Sequence, residues 1–276
     1  MKLTLGFSTC PNDTFIFDAA VNGKIDTEGI AFDVLMADVE ELNKKAFEGK
    51  IDITKLSYHA YAYASEHYIL LNSGSALGKN NGPLLIGKRD IQPDAINGLK
   101  IAIPGKYTTA HLLFSIAYPD AKNKTEYVFS DIEEAVLNES VDAGLIIHEN
   151  RFTYEAKGLK KIMDMGEYWE TLTHMPIPLG GIVMHRKHGL EMQTKMSRII
   201  KRSIEYAYRH PESSLSYIKC YAQEMNAEVM RKHIELYVNK YSLDLGMTGK
   251  SAVRILYSEA RKRGLIPDLK DPIFIE

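Results

Sequence analysis

Pro176-Ile177-Pro178-Leu179-Gly180-Gly181-Ile182-Val183-Met184 is the stretch on which the architecture turns. Prolines and glycines at four of its first six positions forbid regular helix, while Ile182-Val183-Met184 reads as a strand. The chain is therefore expected to return here from one sheet to another. A matching outward crossing is expected at Asp90 to Gly98, where Pro93 and polar residues interrupt the apolar runs.

Before that outward crossing, short apolar runs alternate with amphipathic segments, the pattern of βα units. Leu3 to Phe7, Ala31 to Met36, Ile51 to Thr54, Tyr68 to Leu71 and Leu84 to Gly87 read as strands, with Gly74 to Pro83 as a long turn. Helices are expected over Thr14 to Val21, between Asp38 and Gly49, and over Tyr58 to Glu66. Asp38 and Glu41 have capping-box spacing, as do Ser130 and Glu133. Between the crossings, Lys100 to Ile103 is a strand, Thr108 to Ala117 a helix, Ala143 to Ile147 a strand and Leu159 to Met163 its expected neighbour. After Leu190 the pattern is helical: Lys195 to Tyr208, Ser213 to Gln223, Ala227 to Tyr237 and Lys250 to Arg263.

Two α/β lobes joined by two crossings, with a helical tail returning to the first, is the topology of a two-lobed periplasmic-binding-protein-like fold of type 2, with a ligand cleft between the lobes. The expected division is residues 1–93 plus 178–276 for the larger lobe and 94–177 for the smaller. Topology of this kind carries no function by itself.

The chain has 276 residues, 45% of them hydrophobic, enough for a sizeable core. Its 34 basic and 36 acidic residues give a formal charge of -2 without a long basic run, which argues against nucleic acid and anionic membranes as partners. A small molecule is the expected partner, and pairing into a homodimer is left open. No stretch approaches the roughly 20 apolar residues of a membrane span, and Met1 to Phe7 lacks the apolar core of a secretory signal. A cytoplasmic location and no membrane insertion are expected. Cys10 and Cys220 are too few for a disulfide framework.

Ligands of open α/β sheets bind beyond the carboxyl ends of strands, which draws attention to Gly144-Leu145-Ile146-Ile147-His148-Glu149. His148 follows an apolar strand and precedes Asn150-Arg151-Phe152-Thr153-Tyr154, so its imidazole can face a cleft as a base near neutral pH. A purely structural histidine remains the alternative. Ser8 to Asp13 joins a strand to a helix start, where free N–H groups favour an anion, although Asn12 and Asp13 read most simply as caps. Pro104-Gly105-Lys106-Tyr107-Thr108-Thr109-Ala110 repeats that arrangement. Lys55-Leu56-Ser57 is either a surface turn or part of the cleft mouth, and Tyr58, Tyr61 and Tyr68 read as packing. Cys10 near a helix start is a weak candidate nucleophile, and no histidine pair has a convincing third metal ligand.

Five motifs in order carry a resemblance that runs from the first strand to the C-terminal helices. They are Phe7-Ser8-Thr9-Cys10-Pro11-Asn12-Asp13-Thr14-Phe15-Ile16-Phe17, Thr54-Lys55-Leu56-Ser57-Tyr58, Pro104-Gly105 with Thr108-Thr109-Ala110, Gly144 to His148 with Arg151-Phe152-Thr153-Tyr154, and Pro178-Leu179-Gly180. Together they resemble the 1,4-dihydroxy-6-naphthoate synthases of the futalosine route to menaquinone. The resemblance implies a carbon–carbon lyase acting on cyclic dehypoxanthinyl futalosine without cofactor or metal. It further implies a carboxylate-bearing product, His148 as the catalytic base, and substrate contacts at Lys55, Leu56, Ser57, Thr109 and Ala110. Thr9, where proline is expected in some members, and Gly181, where alanine is familiar, depart from the pattern outside the implied contacts. The competing readings are a transporter's solute-binding protein, against which the missing export signal counts, and the related chorismate dehydratase.

Overall fold

The computed structural model describes residues 1–222 and 226–276. Leu3, Leu5 and Phe7 of β1 (Lys2–Phe7) point into the interior, as alternation in a half-buried strand requires. β1 pairs in parallel with the exposed edge strand β2 (Ala31–Met36) on one side and with β3 (Ile53–Ser57), buried at every position, on the other. Two short strands, β4 (Tyr68–Leu70) and β5 (Ala76–Gly78), complete the chain's first visit to this sheet.

A second sheet follows, made from β6 (Leu84–Gly87), β7 (Ile101–Ile103), β8 (Lys124–Glu126), β9 (Ala143–Ile146) and β10 (Lys160–Asp164) in the order β10-β6-β9-β7-β8. β7 and β9 are parallel neighbours, while β6 is antiparallel to both β9 and β10. The return strand β11 (Ile177–His185) closes the first sheet, running antiparallel between β3 and β4 and pairing with β5 through its first half. Gly180 is what permits this insertion, because a Cβ there would lie 2.7 Å from the Leu56 carbonyl oxygen.

Four expectations need correction. The outward crossing precedes Leu84 instead of falling at Asp90 to Gly98, since β6 belongs to the second sheet. β6 is wholly buried and takes partners on both sides; Pro93–Gly98 is a 3-10 turn linking β6 to β7, and its polarity marks a loop within one sheet. The Leu159–Met163 run forms β10 on the far side of β6, because β6 and β7 already occupy both edges of β9. Ser130 and Glu133 form no capping box, as the helix Ile132–Leu137 starts at Asp131 with no side-chain cap. Asp38 does cap the helix Val39–Phe47, accepting from the Glu40 N–H at 2.8 Å. Part of the expected long turn, Gly74 to Pro83, is the strand β5.

Helices Pro11–Val21 and Gly189–Arg209 cover one face of the first sheet, packing Phe7, Phe17, Ile182 and Ile200 into one core, and Ser203 Oγ donates to the Ile16 carbonyl at 2.6 Å. Another apolar cluster runs unbroken from Leu56 and Tyr61 through Leu113 and Phe114 to Trp169 and Leu256, so the two sheets share a continuous seam. Helices Pro211–Tyr221 and Ala227–Tyr237 follow, and Gln223, the end expected for the first of them, lies outside the described residues. Helix Gly246–Lys262 packs on β11, and the tail returns to β4, where the Leu70 N–H donates to the Ile273 carbonyl at 2.9 Å. Among the described residues no helix is long and apolar enough to cross a membrane.

Candidate active site

Two pairs of parallel strands, β1 with β3 and β7 with β9, aim their carboxyl ends at one another. The space between them is a cavity of about 680 Å³, its open mouth included. Lys55, Leu56, Ser57, Thr109, Ala110 and His148 all line it, together with Ser8, Asn12 and Asp13 from the first helix start.

The β1/β3 side is an ionic cluster. Cys10, not Asn12 or Asp13, holds the N-cap position of helix Pro11–Val21, without a side-chain cap hydrogen bond, because the chain enters the helix at Pro11. Asp13 is thereby free to accept from Ser8 Oγ at 2.8 Å, Asn12 Nδ2 at 2.9 Å and Lys55 Nζ at 3.1 Å. Lys55 also donates to the Gly74 carbonyl at 3.0 Å and is buried, so this residue of β3 is no surface turn. Ser57 is held by Asn43, which accepts from its backbone N–H and donates to its hydroxyl. Tyr58, Tyr61 and Tyr68 are fully buried packing residues.

On the opposite side, Thr108 caps the helix Thr109–Ala117 and the two threonines stitch the sheets together. Thr109 Oγ1 donates to the Leu179 carbonyl at 2.6 Å and accepts from the His59 N–H at 3.3 Å, while His59 Nδ1 meets the Thr108 carbonyl at 3.1 Å. A second stitch joins the Tyr107 N–H to the Glu40 carboxylate. Burial lifts the pKa of Glu40 above the ordinary carboxylate value and pushes His59 down to about 4.

His148 opens a 3-10 turn, His148–Phe152, directly beyond β9, and its φ of 58° places it in the left-handed region. Such a conformation in a non-glycine residue costs about 1–2 kcal/mol and persists where the surroundings dictate it. The ring meets Phe129 edge-on at 4.9 Å and lies nearly parallel to His233 at 6.1 Å. Its Nε2 is buried with no partner among the described residues.

His233, from the helix Ala227–Tyr237, and Glu149 were not singled out from sequence. Asn12 Nδ2 is committed to Asp13, so Asn12 Oδ1 accepts from His233 Nε2 at 2.9 Å and fixes that tautomer. Burial, then the neighbouring His148, push the His233 pKa well down, so its Nδ1 faces Glu149 Oε2, 3.8 Å away, as a bare lone pair and not as half of an ion pair. No local signal marks His233; only the fold carries it across from the C-terminal helices. Cys10 is buried, and burial followed by Glu149 raises its thiol well above the ordinary value, the reverse of what a thiolate nucleophile needs. Cys10, His148 and Glu149 place donor atoms within 4.8 Å of one another, the one group among the described residues that could hold a metal ion.

The family described as menaquinone biosynthesis matches residues 3–262. Two curated 1,4-dihydroxy-6-naphthoate synthases align over nearly their whole length. The protein from Thermus thermophilus is 43% identical over 99% of both chains; that from Streptomyces coelicolor is 41% identical over 97% of this chain and 95% of its own. The chain belongs to the 1,4-dihydroxy-6-naphthoate synthase family. Members of this synthase family are enzymes of menaquinone biosynthesis, and so is this chain. A solved structure from Archaeoglobus fulgidus superposes with a TM-score of 0.91 at 34% identity, covering 96% of this chain and 98% of that one. The ligand-binding component of an import system from Staphylococcus aureus superposes at 0.73 over 100% of this chain and 96% of that one, with 12% identity. That likeness establishes the chain's periplasmic-binding-protein-like fold and nothing of its ligand.

Proposed function

We propose that this protein forms 1,4-dihydroxy-6-naphthoate from cyclic dehypoxanthinyl futalosine in the cytoplasm, with His148 as general base. Neutral His148 takes a proton from the bound cyclic substrate, a carbon–carbon bond to the ribose-derived part breaks with its electron pair left on the ring side, that part leaves as a carbonyl fragment, and His148 returns its proton as the remaining ring aromatises. The observation that carries this reading is His148 at the wall of a cavity between the two sheets, its buried Nε2 without a partner among the described residues. An imidazole nitrogen with no internal partner is free to accept a proton from a bound molecule. Around it, the donors left over by the internal network face a carboxylate guest: the third N–H of Lys55, the proton of the Ser57 hydroxyl, which only accepts from Asn43, and the backbone N–H groups of the helix start at Thr109 and Ala110. The proton transfer and bond fragmentation need no metal or redox group.

The test is to incubate purified protein with the cyclic futalosine derivative and follow naphthoate formation by absorbance, with chorismate as a parallel substrate. Naphthoate from the first and no change in the second is expected. Consumption of chorismate, or binding of the futalosine derivative without turnover, overturns the proposal.

A further inference from the structure

Most polar side chains on the cavity wall are already committed within the protein: Ser8 and Lys55 to Asp13, Ser57 to Asn43, Thr109 to Leu179 and His59. Asn81 is not. Its side chain is 0% exposed and lines the same cavity, yet neither Oδ1 nor Nδ2 has a hydrogen-bond partner among the described residues. Buried amides without partners are rare in folded proteins, because both the donor and the acceptor have been stripped of water.

The surrounding chain holds this amide in place without satisfying it. Asn81 lies between β5 and β6, where the chain passes from one sheet to the other. On one side the Asn80 N–H donates to Glu170 Oε1 at 3.0 Å; on the other, Arg151 Nη1 donates to the Gly82 carbonyl and its Nη2 is paired with Asp164 at 2.8 Å. Gly78 leaves room for the amide, since a Cβ there would lie 2.8 Å from Asn81 Nδ2. A side chain seated this firmly and left unpaired on both atoms is arranged for something that enters the cavity.

We propose that Asn81 is a specificity-determining substrate contact, deepening the function proposed above and resting on it. A carboxamide offers one acceptor and one donor side by side. It is matched by a group that presents both, such as a ring hydroxyl beside a second hydroxyl or a carbonyl, and only half matched by a bare carboxylate. Asn81 therefore reads the hydroxyl-bearing, ribose-derived part of the substrate, leaving the carboxylate to the helix start at Thr109.

The test is Asn81→Leu, which keeps the bulk and removes both polar atoms. Ligand-free Asn81→Leu is expected to melt at the wild-type temperature or above it, because an uncompensated amide has gone. Its kcat/KM for naphthoate formation is expected to fall about 10- to 100-fold, mainly through KM. Should the branched leucine end prevent folding, Asn81→Ala is read for kcat/KM in its place. A lower melting temperature in a folded leucine variant would assign Asn81 a structural role, and unchanged kcat/KM in whichever variant folds would remove it from the binding site; either overturns the proposal. If wild-type protein makes no naphthoate, the functional reading has failed, a result distinguishable from failure of the Asn81 assignment because the ligand-free melting comparison needs no substrate.

Discussion

The β1/β3 edge and the β7/β9 edge are the same construction, two parallel strands delivering a loop and a helix to a shared cavity, yet they differ in how each leaves its central ionisable side chain. On the first, Ser8, Asn12, Asp13 and Lys55 satisfy one another in a closed network. On the second, His148 sits in a strained left-handed conformation with no partner for its Nε2 among the described residues. Closed networks fix geometry, because every member is held by its partners. An unpartnered, strained group is unfavourable in the free protein, and its compensation comes from the molecule it acts on. By this contrast the first edge is the frame and the second the working face.

The largest expected effect breaks the working face. His148→Asn removes the base while supplying a residue that tolerates positive φ, so the fold is retained. Turnover of the cyclic futalosine derivative is expected to fall about 10²–10⁴-fold with an unchanged melting temperature. Steady-state rates beside circular dichroism check this; undiminished turnover would move the chemistry elsewhere.

Breaking the frame has the opposite signature. Lys55→Met leaves the Asp13 carboxylate buried without its cation, a loss of about 3–5 kcal/mol for an interior ion pair. Urea denaturation is expected to show that loss, and the double variant with Asp13→Asn is expected to recover part of it. A loss below about 1 kcal/mol would mean that the pair is solvated, as surface pairs are.

The division between frame and face was only half legible in the sequence. Strand patterning located the elements, and His148, Lys55 and Thr109 stood out because strand ends and helix starts are local features. Asp13 reads as a cap in sequence because cysteine, which here holds the N-cap position without a cap bond, is uncommon there and Pro11 sets the helix start earlier than the apolar pattern does. The first sheet crossing was misplaced because a polar, proline-containing segment looks the same whether it joins two sheets or two strands of one. His233 and Asn81 carry no signal at all, since burial, and the partners a buried side chain finds or lacks, are tertiary properties. Family membership is read from the whole chain and does not depend on those residues.

A smaller effect comes from the seam that holds the two edges together. His59 is buried with a pKa depressed to about 4, against about 6.5 in the unfolded chain. Between those values the unfolded state takes up a proton that the folded state refuses, so the contribution is fully present above pH 6.5 and is lost as pH falls toward 4. The loss amounts to about 3 kcal/mol at most, with His111, lowered in the same way, adding to it and the raised Glu40 opposing it. Denaturation midpoints measured from pH 7 down to 4.5 are expected to slope downward, and His59→Gln is expected to flatten that slope. An equal slope in both proteins would place the acid sensitivity elsewhere.

The smallest effect sharpens where the substrate touches the second edge. The Thr109 hydroxyl donates to Leu179 and accepts from His59, so both of its roles are spent on joining the sheets. Any contact of a carboxylate guest at Thr109 and Ala110 then has to use the backbone N–H groups of the helix start, which a change of side chain leaves intact. Thr109→Val should therefore cost about 1–2 kcal/mol of stability, with Thr109→Ser restoring most of it, while KM stays within about threefold of wild type. A large rise in KM at undiminished stability would show instead that the hydroxyl turns away from Leu179 to meet the substrate, making the seam itself part of the working face.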